Sequence, residues 1–219
     1  MIFVNYKTYE EGTGQKAIAL TKILEEVAVS TQVKIIPVVQ IIDAEMIIAS
    51  TKLPVWIQHI DPVTYGPHTG WTLPEEAAKI GVSGVFLNHS EHKFNDFETL
   101  RTANDKSKVA NLQTLIFAGD LTELKKICEL SPTYVSYEPP QFIGSTTTSV
   151  AQAEPNIITE AAEIAKAAGL PLIVGAGIHS QEDIRVSLSK GAMGFAVATD
   201  IVKAEDPKKE LLDLVGGFQ

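Results

Sequence analysis

Along the chain, apolar residues gather in eight brief, nearly continuous runs, at 2–5, 33–39, 55–59, 84–88, 113–118, 134–137, 172–175 and 194–197. Short runs without polar alternation predict strands covered on both faces, as in a parallel sheet packed inside helices. Between them apolar positions recur every three or four residues, most clearly at 14–29, 120–130, 156–168, 181–189 and 208–215, which predicts helices. Asn156 and Ser180 supply polar starts for two of these. Buried strands alternating with helices require right-handed parallel crossovers. Eight such units predict an α/β fold: a single-domain (β/α)8 barrel over residues 1–219, rather than an open doubly wound sheet of about six strands.

A barrel of this kind concentrates its chemistry where strands give way to the loops at their C-terminal ends. The residues at those positions are Asn5 and Lys7 after the first strand, His89 and Glu91 after the fourth, Glu138 after the sixth, Gly175 and Gly177 after the seventh, and Ala198 and Thr199 after the eighth. Glu138 leads, because a β-type run hands it directly to Pro139 and Pro140, which stop the strand and fix the direction of the loop. As chemical groups, Glu138, His89 and Lys7 offer a base, an electrophile and a stabilising cation for removing a proton beside a carbonyl. Gly175-Ala176-Gly177-Ile178 lets backbone approach an anion, and Ala198-Thr199 is expected to open the last helix, whose N-terminal dipole favours negative charge. Plainer readings are a solvated turn for Glu138, a satisfied structural histidine for His89, a surface position for Lys7 and a structural turn for the glycines. His59, His68, His92 and His179 show no zinc-type spacing, so no metal is expected.

Composition narrows the partners. At 45% hydrophobic and 21% charged residues, the chain has the balance of an ordinary globular protein with a sizeable core. Its net charge of -9 argues against binding nucleic acid and gives an anionic substrate no long-range attraction. A phosphate or carboxylate ligand therefore needs a local site of one or two cations and backbone N–H groups. Cys128 is the only cysteine, which excludes an intramolecular disulfide and a multi-cysteine metal site; its amphipathic surroundings predict a small buried apolar residue. The opening Met-Ile-Phe-Val lacks the basic flank of a signal peptide and no apolar stretch is long enough to span a bilayer, so the expectation is a cytoplasmic protein without membrane contact.

Four motifs then carry a resemblance to a known family: Asn-Tyr-Lys (Asn5 to Lys7), Asn-His-Ser-Glu (Asn88 to Glu91), Tyr-Glu-Pro-Pro (Tyr137 to Pro140) and the glycine Gly144. Over nearly its whole length the chain resembles triosephosphate isomerases of the short archaeal type. The resemblance implies cofactor-free interconversion of dihydroxyacetone phosphate and glyceraldehyde 3-phosphate, with Glu138 as base, a neutral His89 polarising the carbonyl, and Lys7 and Asn5 binding substrate. It further implies phosphate contacts from Gly144, Gly175, Ala176, Gly177, Ala198 and Thr199, and support from Glu91 and Ser90. A lid of Pro139, Pro140, Gln141, Phe142, Ile143, Gly144, Ser145, Thr146, Thr147 and Thr148 would close over the substrate and retain the intermediate. The sequence departs from the family where Ser145-Thr146 replaces the usual Thr-Gly pair, where the fifth strand lacks a cysteine, and where Thr199 replaces a smaller residue.

One further segment, 62–73, is too long and too apolar for a plain surface turn and carries Tyr65, Thr69 and Trp71. By the resemblance it inserts beside a neighbouring subunit's active site, implying a homo-oligomer, dimer or tetramer; the plainer reading is a loop folded over its own barrel. The rival readings are a Schiff-base aldolase using Lys7, which would need a desolvated amine, and a barrel that senses a phosphorylated metabolite without turning it over.

Overall fold

The computed structural model describes residues 1–139, 155–175 and 177–219. Eight parallel strands close into a barrel in sequence order: β1 (Ile2–Asn5), β2 (Ile35–Val39), β3 (Trp56–Ile57), β4 (Gly84–Leu87), β5 (Gln113–Ala118), β6 (Tyr134–Tyr137), β7 (Leu172–Val174) and β8 (Gly194–Val197). Closure comes from β8 against β1, with Ile2 opposite Phe195 and Val4 opposite Val197. The helices among the described residues are Gly14–Thr31, Ile41–Ile48, Pro74–Lys79, Phe97–Val109, Leu121–Cys128, Pro155–Ala167, Gln181–Ser189, Thr199–Val202 and Pro207–Gly216.

Alternation along each strand divides the core in two. In β4, Val85 and Leu87 pack outward against the helices, whereas Phe86 points into the barrel. The interior is filled chiefly by aromatic rings: Phe3 meets Trp56 edge-on at 4.9 Å, and Phe86 meets Phe117 at 4.8 Å. Gly84 is required there, since a Cβ at that position would lie 2.3 Å from the Trp56 ring. This layer forms a solid floor beneath the loops at the C-terminal ends of the strands. Cys128 is buried beneath its helix, and that burial raises its thiol pKa.

Four strands, β1, β5, β6 and β8, have the boundaries that the apolar runs predict. The other four are shorter at one or both ends. Strand β2 begins at Ile35 because the preceding helix extends to Thr31 and ends on a left-handed Gln32 (φ 61°), so Val33 belongs to the turn. Strand β3 is only Trp56–Ile57; Gln58 makes one more ladder bond, to Val39 (3.2 Å), before the chain turns away. Strand β7 stops at Val174, so Gly175 lies beyond it. Strand β4 ends at Leu87 because Asn88 adopts a left-handed φ of 60°.

Helix starts show the same mixture. Ser180 forms a reciprocal capping box with Asp183, as its residue type predicts. Asn156 is instead the second residue of its helix, which begins at Pro155, a residue whose fixed φ suits a first turn. The Ala198-Thr199 pair does not open the last helix. It opens the four-residue helix Thr199–Val202, and the final helix starts separately at Pro207, capped by Asp206. Helices Ile41–Ile48, Pro74–Lys79 and Phe97–Val109 complete the alternation.

Candidate active site

Glu138 is held at the mouth of the barrel by an extension of the β5–β6 ladder, its N–H donating to Ala118 at 2.9 Å. The side chain turns inward and is buried, and Oε2 has no hydrogen-bond partner. Room for it comes from Gly175, where a Cβ would stand 3.0 Å from Glu138 Oε1 and 3.2 Å from Ser136 Oγ. Burial pushes the carboxyl up to about 8, opposed by the Lys7 charge and helped by the nearby Glu91 charge.

His89 faces this carboxyl, with Nε2 3.5 Å from Glu138 Oε2. Its loop is set by Asn88, whose amide donates to Phe117 O (3.0 Å) and Glu123 Oε1 (2.9 Å). The imidazole packs edge-on against Phe117, with ring centroids 4.9 Å apart, so it rests on the aromatic floor. Burial lowers its pKa to about 4, with Lys7 adding to the shift and Glu91 opposing it. The backbone N–H of Glu91 donates to Nδ1 at 3.2 Å, which assigns the proton of the neutral ring to Nε2. A neutral hydrogen-bond donor therefore stands beside the buried carboxyl.

Lys7 enters from the β1 loop. Its backbone is left-handed (φ 49°), stabilised by its N–H to Asn5 Oδ1 (3.0 Å) and by Gln58 Nε2 donating to its carbonyl (2.8 Å). The ammonium pairs with Glu91 Oε1 at 2.7 Å. Asn5 is buried in the same cleft.

The opposite wall of the cleft comes from β7 and β8. Gly177 has φ 62°, a left-handed conformation suited to glycine, and Thr199 Oγ1 shares a 3.0 Å hydrogen bond with Tyr9 OH. That bond ties the β8 turn to the β1 loop through the Thr199 hydroxyl. Lys7, His89, Glu138, Gly175, Gly177, Ala198 and Thr199 all line one cleft.

Comparison with known proteins agrees with this geometry. A family model described as triosephosphate isomerase matches residues 1–216. The chain is 38% identical to triosephosphate isomerase of Metallosphaera sedula, over 99% of this chain and 95% of that protein. It is 36% identical to the enzyme of Methanobacterium bryantii (98% and 95% covered) and 32% identical to that of Methanocaldococcus jannaschii (98% of each). The chain belongs to the triosephosphate isomerase family.

For a member of the triosephosphate isomerase family, the described cleft brings together nearly all the residues that the sequence singles out. Ser90 lies beside the pair with its Oγ buried and unpartnered, and Glu91 bridges toward both Lys7 and His89. Pro139 is buried at the start of the expected lid. Lid residues Pro140, Gln141, Phe142, Ile143, Gly144, Ser145, Thr146, Thr147 and Thr148 lie outside the described residues, as does Ala176. Sequence reasoning missed Gln58, which fixes the Lys7 backbone, and Ser136, beneath Gly175. Both stand at or beside strand ends, the one signal that marked them.

Among the described residues, no group of three or more His, Cys, Asp or Glu side chains is disposed to hold a metal ion. No described helix is long and apolar enough to cross a membrane. Tyr65, Thr69 and Trp71 are exposed, within an unbroken exposed stretch from Thr64 to Trp71.

Proposed function

We propose that this cleft interconverts dihydroxyacetone phosphate and D-glyceraldehyde 3-phosphate, with Glu138 as the base and His89 as the electrophile. Glu138 takes a proton from the carbon next to the carbonyl. The electron pair moves into a carbon–carbon double bond and onto the carbonyl oxygen, giving an enediolate. His89 Nε2–H donates to that oxygen, and Lys7 stabilises the charge. The hydroxyl proton then passes from the first oxygen to the second, across the enediolate beside His89. Returning the proton from Glu138 to the neighbouring carbon completes the isomerisation, so no external acid, oxidant or cofactor is consumed.

The observation that carries this reading is the unpartnered Glu138 Oε2, buried 3.5 Å from the neutral Nε2 donor of His89. A buried carboxyl near pKa 8 is a far stronger base than an exposed one and is matched to neutral pH. A neutral imidazole donates without giving its proton away, which suits it to polarise a carbonyl. Asn5 binds substrate with Lys7, while backbone N–H groups of Gly175, Ala176, Gly177, Ala198, Thr199 and Gly144 hold the phosphate. The segment from Pro139 to Thr148 closes over it. Pairing of Lys7 with Glu91 at 2.7 Å weighs against a free-amine aldolase.

We further infer one domain over residues 1–219, a cytoplasmic setting and assembly with copies of the same chain. Exposed Tyr65, Thr69 and Trp71, and separately Ile42 at 84% exposure in the helix Ile41–Ile48, support a covered surface in the oligomer. A coupled assay with purified protein and no added cofactor should show interconversion in both directions. Absence of turnover, with triose phosphate still bound, would favour a sensor. A borohydride-trapped adduct on Lys7 would favour the aldolase.

A further inference from the structure

His179 is unused by the chemistry above, yet it lines the same cleft as Lys7, Glu138 and Thr199. It stands two residues past Gly177, on the wall where the phosphate of the proposed substrate is held. Its main chain is anchored, the N–H donating to Asp183 Oδ2 at 3.1 Å, and Asp183 is itself locked in the capping box with Ser180. Its ring is anchored too, through a short contact between Nδ1 and the carboxylate of Asp200, which arrives from the β8 turn. What remains is Nε2, buried and without a hydrogen-bond partner. Buried polar atoms are usually paired, so an immobilised imidazole with one orphaned nitrogen in a cleft marks a place for a ligand atom.

Asp200 sharpens the point. Alone, its negative charge beside Thr199 would repel a phosphate. The cations nearby have other partners in the free protein: Lys203 Nζ lies over the Tyr9 ring at 5.4 Å, and Lys7, assigned above to the reacting carbonyl end of the substrate, is paired with Glu91. The carboxylate of Asp200 accepts and cannot donate, so Nδ1 carries a proton. Nε2 therefore donates only when the ring is an imidazolium, and in that form its charge cancels that of Asp200.

We propose that His179, oriented by Asp200, is a phosphate-binding side chain of this cleft, its Nε2–H donating to a phosphoryl oxygen of the bound substrate. The proposal deepens the isomerase reading and rests on it for the identity of the substrate, but the anion contact itself is testable without turnover. The complex holds a protonated His179 between two anionic groups, Asp200 and the phosphate; the proton on Nε2 comes from solvent or from the phosphate monoanion, and no other bond is made or broken.

The test is calorimetric binding of inorganic phosphate to wild type, His179→Ala and His179→Gln, alongside steady-state kinetics and thermal melting. A charge-assisted hydrogen bond of this type predicts about tenfold to a hundredfold weaker phosphate binding for His179→Ala, with KM raised to match and kcat within about threefold. His179→Gln, which keeps a neutral donor and guards against misfolding of the alanine variant, should fall between. If both variants bind phosphate as wild type does while melting earlier, the His179–Asp200 contact is only a latch between two loops and the proposal is overturned. If wild type does not isomerise but His179→Ala still loses phosphate affinity, the isomerase reading fails and the anion contact stands.

Discussion

The interior of the barrel and its mouth are built from the same strands, a residue or two apart, and obey opposite rules. Inside, Phe3, Trp56, Phe86 and Phe117 pack ring on ring, and Gly84 is shaped to admit the Trp56 ring. At the mouth, Glu138 Oε2, Ser90 Oγ, Ser136 Oγ and His179 Nε2 are buried without partners. Lys7, Asn88 and Gly177 there adopt left-handed backbone conformations. The interior buries apolar surface and stabilises the fold; the mouth buries polar groups at a cost, and that cost is what makes them reactive. One floor of aromatic rings serves both, because Phe117 supports the His89 imidazole from below.

The comparison can be broken most sharply at Glu138. Replacing it with glutamine should lower kcat by about 10² to 10⁴-fold, measured in the coupled assay, while inorganic phosphate still binds. Near-normal turnover would place the base elsewhere. Phe3→Ala attacks the other region: loss of a buried ring from the barrel floor should cost about 3–5 kcal/mol in urea unfolding, with kcat of the folded fraction little changed. Lys7→Ala removes a cation from the mouth and should raise KM and lower kcat together, for a combined loss of about 1.5–3 kcal/mol of transition-state stabilisation.

The remaining effect is on stability and has opposite signs for the two buried titrating groups. The Glu138 carboxyl is raised from 4.5 to about 8, so its contribution is fully present below pH 4.5 and is lost as pH rises toward 8. His89 is lowered from 6.5 to about 4, so its contribution is present above pH 6.5 and is lost as pH falls toward 4. Melting curves across this range should show Glu138→Gln gaining on wild type as pH rises from about 4.5 and levelling off near 8, although it is the less active protein. No such gain would mean that the carboxyl is not desolvated.

The strand runs were legible because strands covered on both faces leave an uninterrupted apolar signature; β1, β5, β6 and β8 begin and end where it does. Boundaries failed where local backbone chemistry decided them, as at the left-handed Gln32 and the proline-started helix at Pro155. Within the site, Glu138, His89 and Lys7 were legible because each follows a strand. Gln58 was not, since a glutamine has no motif and its task is to bind a backbone carbonyl 51 residues away. Nor were the links from Tyr9 to Thr199, 190 residues apart, and from His179 to Asp200, 21 apart, because only barrel closure and neighbouring strands bring them together.

The central claim is that burial at the mouth turns Glu138 into a base poised near neutrality, and an infrared titration of the free enzyme, with Glu138→Gln subtracted, reads that carboxyl directly. A carboxylic acid C=O band that persists at neutral pH and disappears as pH passes about 8 is the predicted result. A band half lost at about pH 4.5, as for an exposed glutamate, would contradict the account.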